Sequence, residues 1–361
     1  MSLRLLHRLL LCVGLPALFA LVVCLAPKAA GETKPREGRE GDVALFKSVV
    51  HRMEDGQPYY QAFGTELRAR HYPARSVFNW RQPFLYRMLA SVSSNVSQLL
   101  LIVLSLALLV ATRRTLGSNR LAALTITNAT ALIALDGIGA PPATRYFTEL
   151  WAGAFIGLSA LSYARHRTVR GALWGLLALF IRELAAPYCA LAAFLAVRGR
   201  RWREIRVWAA GAMLYGIYYA RHSLAALQHM QSGDVSHVQS WLYWGGLPFL
   251  LKVWQFNGLL LVAPSWVLGL VVVAIVIASW APHVPLHLRL SVLLYSVLFL
   301  AVGQPFNEYW GLLTAPIIAL WLAYAPDGFR VLLSNADLIT LSAALHAGPL
   351  RCATKRFLRN G

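Results

Sequence analysis

Acidic residues are scarce in this chain. Asp and Glu number 15 against 34 Lys and Arg in 361 residues, and 14% of positions are charged, where an ordinary soluble domain has about 25%. A water-facing enzyme surface and a charge-rich disordered chain are both excluded. Cysteine is sparse too. Cys12, Cys24, Cys189 and Cys352 show no C-x-x-C or metal-ligand spacing, which removes a disulfide framework and a zinc site. There is no glycine-rich phosphate loop, no P-loop lysine and no G-x-S-x-G, so cytoplasmic nucleotide-sugar chemistry and serine-hydrolase chemistry have no carrier. His222, His229 and His237 share a region with Asp234, and His283 and His287 flank Pro285, but neither set has ligand spacing. No metal and no other cofactor is expected. Repeats and low-complexity segments are missing as well.

What the chain has is apolar length. Hydrophobic residues make up 58% of it. The net charge of +19 belongs with membranes, because the long apolar runs leave no polar basic face for nucleic acid. A span needs about 20 apolar residues, and short cytoplasmic loops collect Lys and Arg. These rules predict a first retained span over 9–26 running outward, then 96–112 returning to Arg113 and Arg114. The next spans are 121–139 going out and 147–164 coming back to Arg165, Arg167 and Arg170. The run 171–197 has arginines at both ends and Arg182-Glu183 in its middle. Both basic clusters stay on one side only if the chain turns back, so two short helices, 171–182 and 184–197, form a hairpin within the membrane. Such helices need neighbouring helices or a wet cavity to cover them.

The remaining runs are 205–220 outward, 257–280 inward, 290–303 outward and 311–325 inward. An external loop over 221–245 carries an interfacial helix around Trp241, Tyr243 and Trp244. The expected fold is all-α: a polytopic membrane helix bundle of about eight full spans plus the hairpin. The membrane domain covers 1–325, with 27–95 as the first external loop, and 326–361 is a basic cytoplasmic tail. Both termini are cytoplasmic. Arginine far outnumbers lysine and alanine is common, a bias of GC-rich bacterial genomes that places the chain in a bacterial inner (plasma) membrane. Arg145, Arg182, Arg221 and Lys252 are left on or near the outer face and need a reason.

The first external loop turns helical at Asp42. Val43, Phe46, Val49, Val50 and Met53 share one face, which predicts an amphipathic helix on the outer membrane surface. Gly56 stops it, and Gln57-Pro58-Tyr59-Tyr60 starts a second. Asp42 stands where an aspartate caps a helix. The same position suits a carboxylate base, since capping keeps it ionised.

An acid shortly after the first span, followed by Gly56-Gln57-Pro58-Tyr59, resembles the opening of membrane glycosyltransferases of the GT-C class, in particular the polyprenyl-phosphate-dependent mannosyltransferase-like families. Phe78-Asn79-Trp80-Arg81-Gln82-Pro83 is similar to the run leading into their second span. The short helix pair at 171–197 and the late run Gln304-Pro305-Phe306-Asn307-Glu308-Tyr309-Trp310 are also of that type. The resemblance spans most of the chain in layout and about 50 residues in motif. A second acid beside Asp42, present in some members, is missing here: the neighbours are Gly41 and Val43, so a metal-bridged mechanism is not expected.

The resemblance implies an inverting transfer on the outer face, from a polyprenyl-phosphate-linked sugar donor to a hydroxyl of a lipid or glycan acceptor. Asp42 is then the base. Arg81, Arg145, Arg182 and Arg221 are the groups for the donor phosphate, since guanidinium forks suit phosphate oxygens. Tyr59, Glu149, Glu308 and Tyr309 are the candidates for touching substrate. Glu149 is also placed for an i, i+4 ion pair with Arg145, and any arginine can instead pair with an acid or snorkel. A transporter or flippase for a lipid-linked substrate is the competing expectation. It would share the cavity and the arginines, would not need Asp42, and would show paired repeats.

Overall fold

A computed structural model of the chain describes residues 3–26, 41–117, 144–236 and 242–336. Among these, the protein is all-helical, and a lone antiparallel bridge between Leu242 and Val302 is the sole extended pairing. The predicted span 121–139 and most of the tail lie outside the described residues.

Helix α1 runs Leu3–Leu25. It contains a π turn at Leu10–Gly14 directly before Pro16. Proline has no N–H and crowds the carbonyl one turn back, and the widened turn relieves both problems without a break. Helices α2 (Asp42–Glu54), α3 (Tyr59–Ala69) and α4 (Pro83–Ser91) form a cap. The apolar face foreseen for α2 exists, with Phe46, Val49 and Val50 buried. It is not laid on lipid, however: Phe46 packs on Phe63 of α3 and Tyr86 of α4. The protein's own aromatic rings outcompete the membrane for that face. Glu66, itself buried, ties the cap together by pairing with Arg52 and Arg70.

Helix α5 (Ser94–Leu116) follows, then α6 (Thr148–Ala164), α7 (Thr168–Ile181), α8 (Ala186–Arg198) and α9 (Trp202–His229). The predicted hairpin at 171–197 is present. Arg182 is extended at φ −147° and ends α7, and Cys189 Sγ lies 3.2 Å from the Gly175 carbonyl. One continuous helix would hold those two residues about 21 Å apart. Helix α9 has 28 residues and runs past the predicted boundary at 220. Arg221, His222 and His229 therefore sit on a helix and not in a loop. Of the expected interfacial helix, Trp241 lies outside the described residues, Tyr243 and Trp244 are irregular, and α10 is Gly246–Gln255.

The chain closes with α11 (Ser265–Ala278), α12 (Leu286–Ala301), α13 (Gly311–Leu322) and α14 (Ala325–Asn335). Helix α14 lies just beyond the expected boundary at 325. It packs on α11, with Gly328 against the Ile277 carbonyl. Helix α6 lies under α13 at backbone contact, and a Cβ on Gly153 would reach the Leu312 and Leu313 carbonyls. Only glycine permits that approach.

Among the described residues, two helices are long and apolar enough to cross a membrane, Leu3–Leu25 and Ser94–Leu116. Glu308–Leu322 with Ala325–Asn335 also passes as a pair, bent by 47°. The bundle has two distinct ends. Arg8 of α1 donates to the Ala336 carbonyl at 2.9 Å, which brings the first and last described helices to one end. Leu116, Ala164, Leu288 and Tyr324 line a small pocket there. Asp42, Ser94, Glu149 and Arg182 gather at the opposite end.

Candidate functional site

The Asp42 end holds a buried polar cluster built from four separate segments. Arg182, at the turn of the hairpin, places Nε 2.8 Å from Glu149 Oε1 in the first turn of α6. Its other nitrogen pairs with Glu183. Glu149 is 0% exposed and Arg182 is 2%. Burying ions without partners costs several kcal/mol each, so the pairing explains how two charges sit there. Thr148 adds a hydrogen bond to Glu149 Oε2 at 3.0 Å. Glu183 also accepts from Gln82 at 3.3 Å, and Gln82 donates to Tyr215 of α9 at 2.8 Å.

Arg81 comes from the segment between α3 and α4. Its guanidinium lies over the rings of Phe46 and Tyr309, 5.6 and 5.9 Å from the centroids, and donates to the Tyr309 hydroxyl at 2.6 Å. Burial opposes the Arg81 charge, but Tyr309, Glu149 and Glu183 outweigh it and hold its pKa above the ordinary arginine value. Arg81 is a permanent cation. Burial pushes the Tyr309 hydroxyl up; Arg81 opposes the shift, and Asp42 and Glu149 add to it. Tyr309 is thus a neutral phenol. Its oxygen accepts from Arg81 and, at 3.3 Å, from Asn307, so its own proton points elsewhere.

Asp42 borders this cluster through Tyr309. It is half-buried and accepts a hydrogen bond from Tyr72 at 2.7 Å. It does not cap α2. Gly41 is the cap residue, and no side chain serves that role. The carboxylate is one position inside the helix and is held instead by Tyr72, just beyond α3.

The other predicted residues divide. Tyr59 is buried and its hydroxyl donates to the Arg81 backbone carbonyl. Arg145 donates to the Ser94 hydroxyl at 2.6 Å and stacks on Tyr146 at 4.9 Å. It joins α5 to the start of α6, and Glu149 turns to Arg182 in place of the i, i+4 pair. Glu308 is half-buried beside Tyr309. Arg221 is exposed, while its neighbour His222 turns inward to the Trp80 carbonyl and the Tyr60 hydroxyl, each at 3.1 Å.

Gln82, Tyr72, Asn307 and Tyr215 were not foreseen. One signal could have found the last. Tyr215, Tyr218, Tyr219 and His222 recur at helical spacing, which marks α9 continuing past 220. Among the described residues no group of three or more His, Cys, Asp or Glu is placed to hold a metal. Comparison with known families, curated proteins and solved structures gives no match.

Proposed function

We propose that the chain is a polytopic membrane glycosyltransferase of the GT-C type. It would move a sugar from a polyprenyl-phosphate donor to a lipid or glycan hydroxyl at the Asp42 end. One observation carries the reading. Asp42 at the start of α2, Arg81 before α4, Arg182 at the hairpin turn and Tyr309 before α13 are far apart in sequence, yet they lie at one end of the bundle, and Asp42 is the half-open member. Further spans of the proposed bundle include the shorter apolar helices α11 and α12.

Each group then has a task. Asp42 takes the acceptor proton as the hydroxyl attacks the anomeric carbon. The bond from that carbon to the phosphate oxygen breaks, and the leaving phosphate carries off the electron pair. Tyr309, with its oxygen polarised by Arg81, donates its free proton toward the leaving group as a hydrogen bond. Glu149 and Glu183 already balance Arg182, so the buried arginines form a preorganised field and not an open anion hole. The accessible Arg221 is the better contact for a phosphate in the headgroup layer.

The test is a transfer assay with purified protein in nanodiscs, a panel of radiolabelled polyprenyl-phosphate sugars and a membrane-lipid extract. Wild type should transfer label and Asp42→Asn should lose it by about 100-fold or more, the usual reach of a general base. Transfer unchanged in Asp42→Asn removes Asp42 from the chemistry. No transfer by wild type, together with movement of the donor lipid across liposomes, replaces the enzyme with a flippase.

A further inference from the structure

The end of the bundle opposite Asp42 carries a second charged surface, built from two helix–helix turns. Helices α6 and α8 both end in the same way. The Arg167 N–H returns to the Ser162 carbonyl at 2.9 Å and the His166 N–H to Tyr163 at 3.0 Å. The Arg201 N–H returns to Ala196 and the Arg200 N–H to Val197, both at 3.0 Å. This double-bonded helix ending needs a left-handed residue, and glycine is its usual occupant. Here the positions are His166 at φ +56° and Arg200 at φ +51°. The ending after α2 uses Gly56 at φ +89°. A basic side chain at such a position is conformationally costly and projects outward from the turn.

The two turns are neighbours. Tyr163, just before the first, donates to Glu204, just after the second, at 2.8 Å. Glu204 also takes Arg201 and the Trp208 indole, and it is 0% exposed. That consumes the nearby acid. Arg167, Arg170, Arg198, Arg200, Arg203 and Arg206 are exposed, and none pairs with a carboxylate among the described residues. Beside them stand exposed apolar side chains: Trp202 at 69%, Val197 at 60% and Val169 at 37%. Six unneutralised guanidiniums next to an exposed indole form a surface with a charged floor and an apolar border.

The geometry points to a binding site for the phosphate headgroup of an anionic lipid across the turns 165–170 and 198–206. The arginines take the phosphate, and the indole and valines lie along the acyl chains. A free phosphate would use the floor and gain nothing from the border, so the occupant is a lipid. The inference rests on the membrane reading and is independent of sugar transfer.

The experiment uses the full chain in neutral detergent micelles, titrated with phosphatidylglycerol, with phosphatidylcholine or with inorganic phosphate. Native mass spectrometry counts the retained lipids. Phosphatidylglycerol should bind in preference to phosphatidylcholine, and inorganic phosphate at equal concentration should not displace it. Arg200→Gly and Arg203→Gln should each weaken phosphatidylglycerol about fivefold, the weight of one basic residue at an anionic surface. Arg330→Gln on α14, where the arginine is exposed and pairs with Asp327 at 3.1 Å, should change affinity less than twofold. Arg200→Gly also removes the cost of the left-handed turn, so its unfolding midpoint in lipid-free micelles should not fall, which separates lost binding from lost folding. Equal weakening by Arg330→Gln, displacement by inorganic phosphate, or equal binding of the two lipids would each overturn the site.

Discussion

The Glu149–Arg182 pair offers the sharpest check on the packing of the Asp42 end. Arg182→Met removes the cation and keeps much of the side-chain volume. It strands Glu149, which is 0% exposed and would keep only the 3.0 Å hydrogen bond from Thr148. Breaking a buried pair from one side costs about 3–5 kcal/mol. Glu149→Gln is milder, because Arg182 retains Glu183. It removes the charge of one partner while the cation stays paired, so it should cost less than Arg182→Met. The double variant leaves Glu183 at the hairpin turn, where its side chain is 23% exposed and can reach water. Its cost should therefore fall short of the sum of the single costs by at least about 1 kcal/mol. The assay is equilibrium unfolding in mixed micelles with increasing SDS, followed by emission from the 12 tryptophans. Costs that add to within about 0.5 kcal/mol would mean that the two side chains do not act on each other, and the cluster as described would be wrong.

Two further outcomes follow from the fold. Gly153→Val should destabilise strongly, because its Cβ meets the Leu312 and Leu313 carbonyls and not movable side-chain tips; wild-type thermal stability in the same micelles would refute the α6–α13 approach. Arg68 grips Asp234 with two bonds of 2.7 and 3.0 Å, and that hydrogen bonding holds the Asp234 carboxyl below its ordinary pKa, against a smaller opposing effect of burial. A lowered folded-state pKa contributes stability above the unfolded value, and this is lost as pH falls through the folded one. The stability difference between wild type and Asp234→Asn should thus be flat from about pH 5 to 8 and shrink below about pH 4. A difference that persists unchanged at about pH 2.5 would exclude the clamp.

Much of the architecture was legible from residue order. Scarce acids, long apolar runs and arginines at both ends of 171–197 predict a helical bundle with a hairpin, because a charge pattern constrains which ends lie together. Gly56 and Pro58 mark the break between α2 and α3 for local reasons, a left-handed turn and a fixed φ. The end of α9 was misplaced because Arg221 and His222 look like the start of a polar loop, while the tyrosine stripe that continues the helix finds its partners in Phe180 of α7, Gln82 and the Phe84 N–H of α4.

Side-chain roles were the part that residue order left open. Asp42 reads as a cap until Tyr72 is seen to hold it, and the two lie 30 residues apart. Glu149 reads as the partner of Arg145, four residues away, until the hairpin brings in Arg182. In each case sequence spacing offers a near neighbour, and burial selects a distant one, because a charge or hydroxyl removed from water takes the partner that the packed helices bring within about 3 Å. Composition and periodicity determined that this chain is helical and carries helices apolar enough to cross a membrane. Which acid meets which arginine was decided only when the cap, the hairpin and the last loop closed over one another.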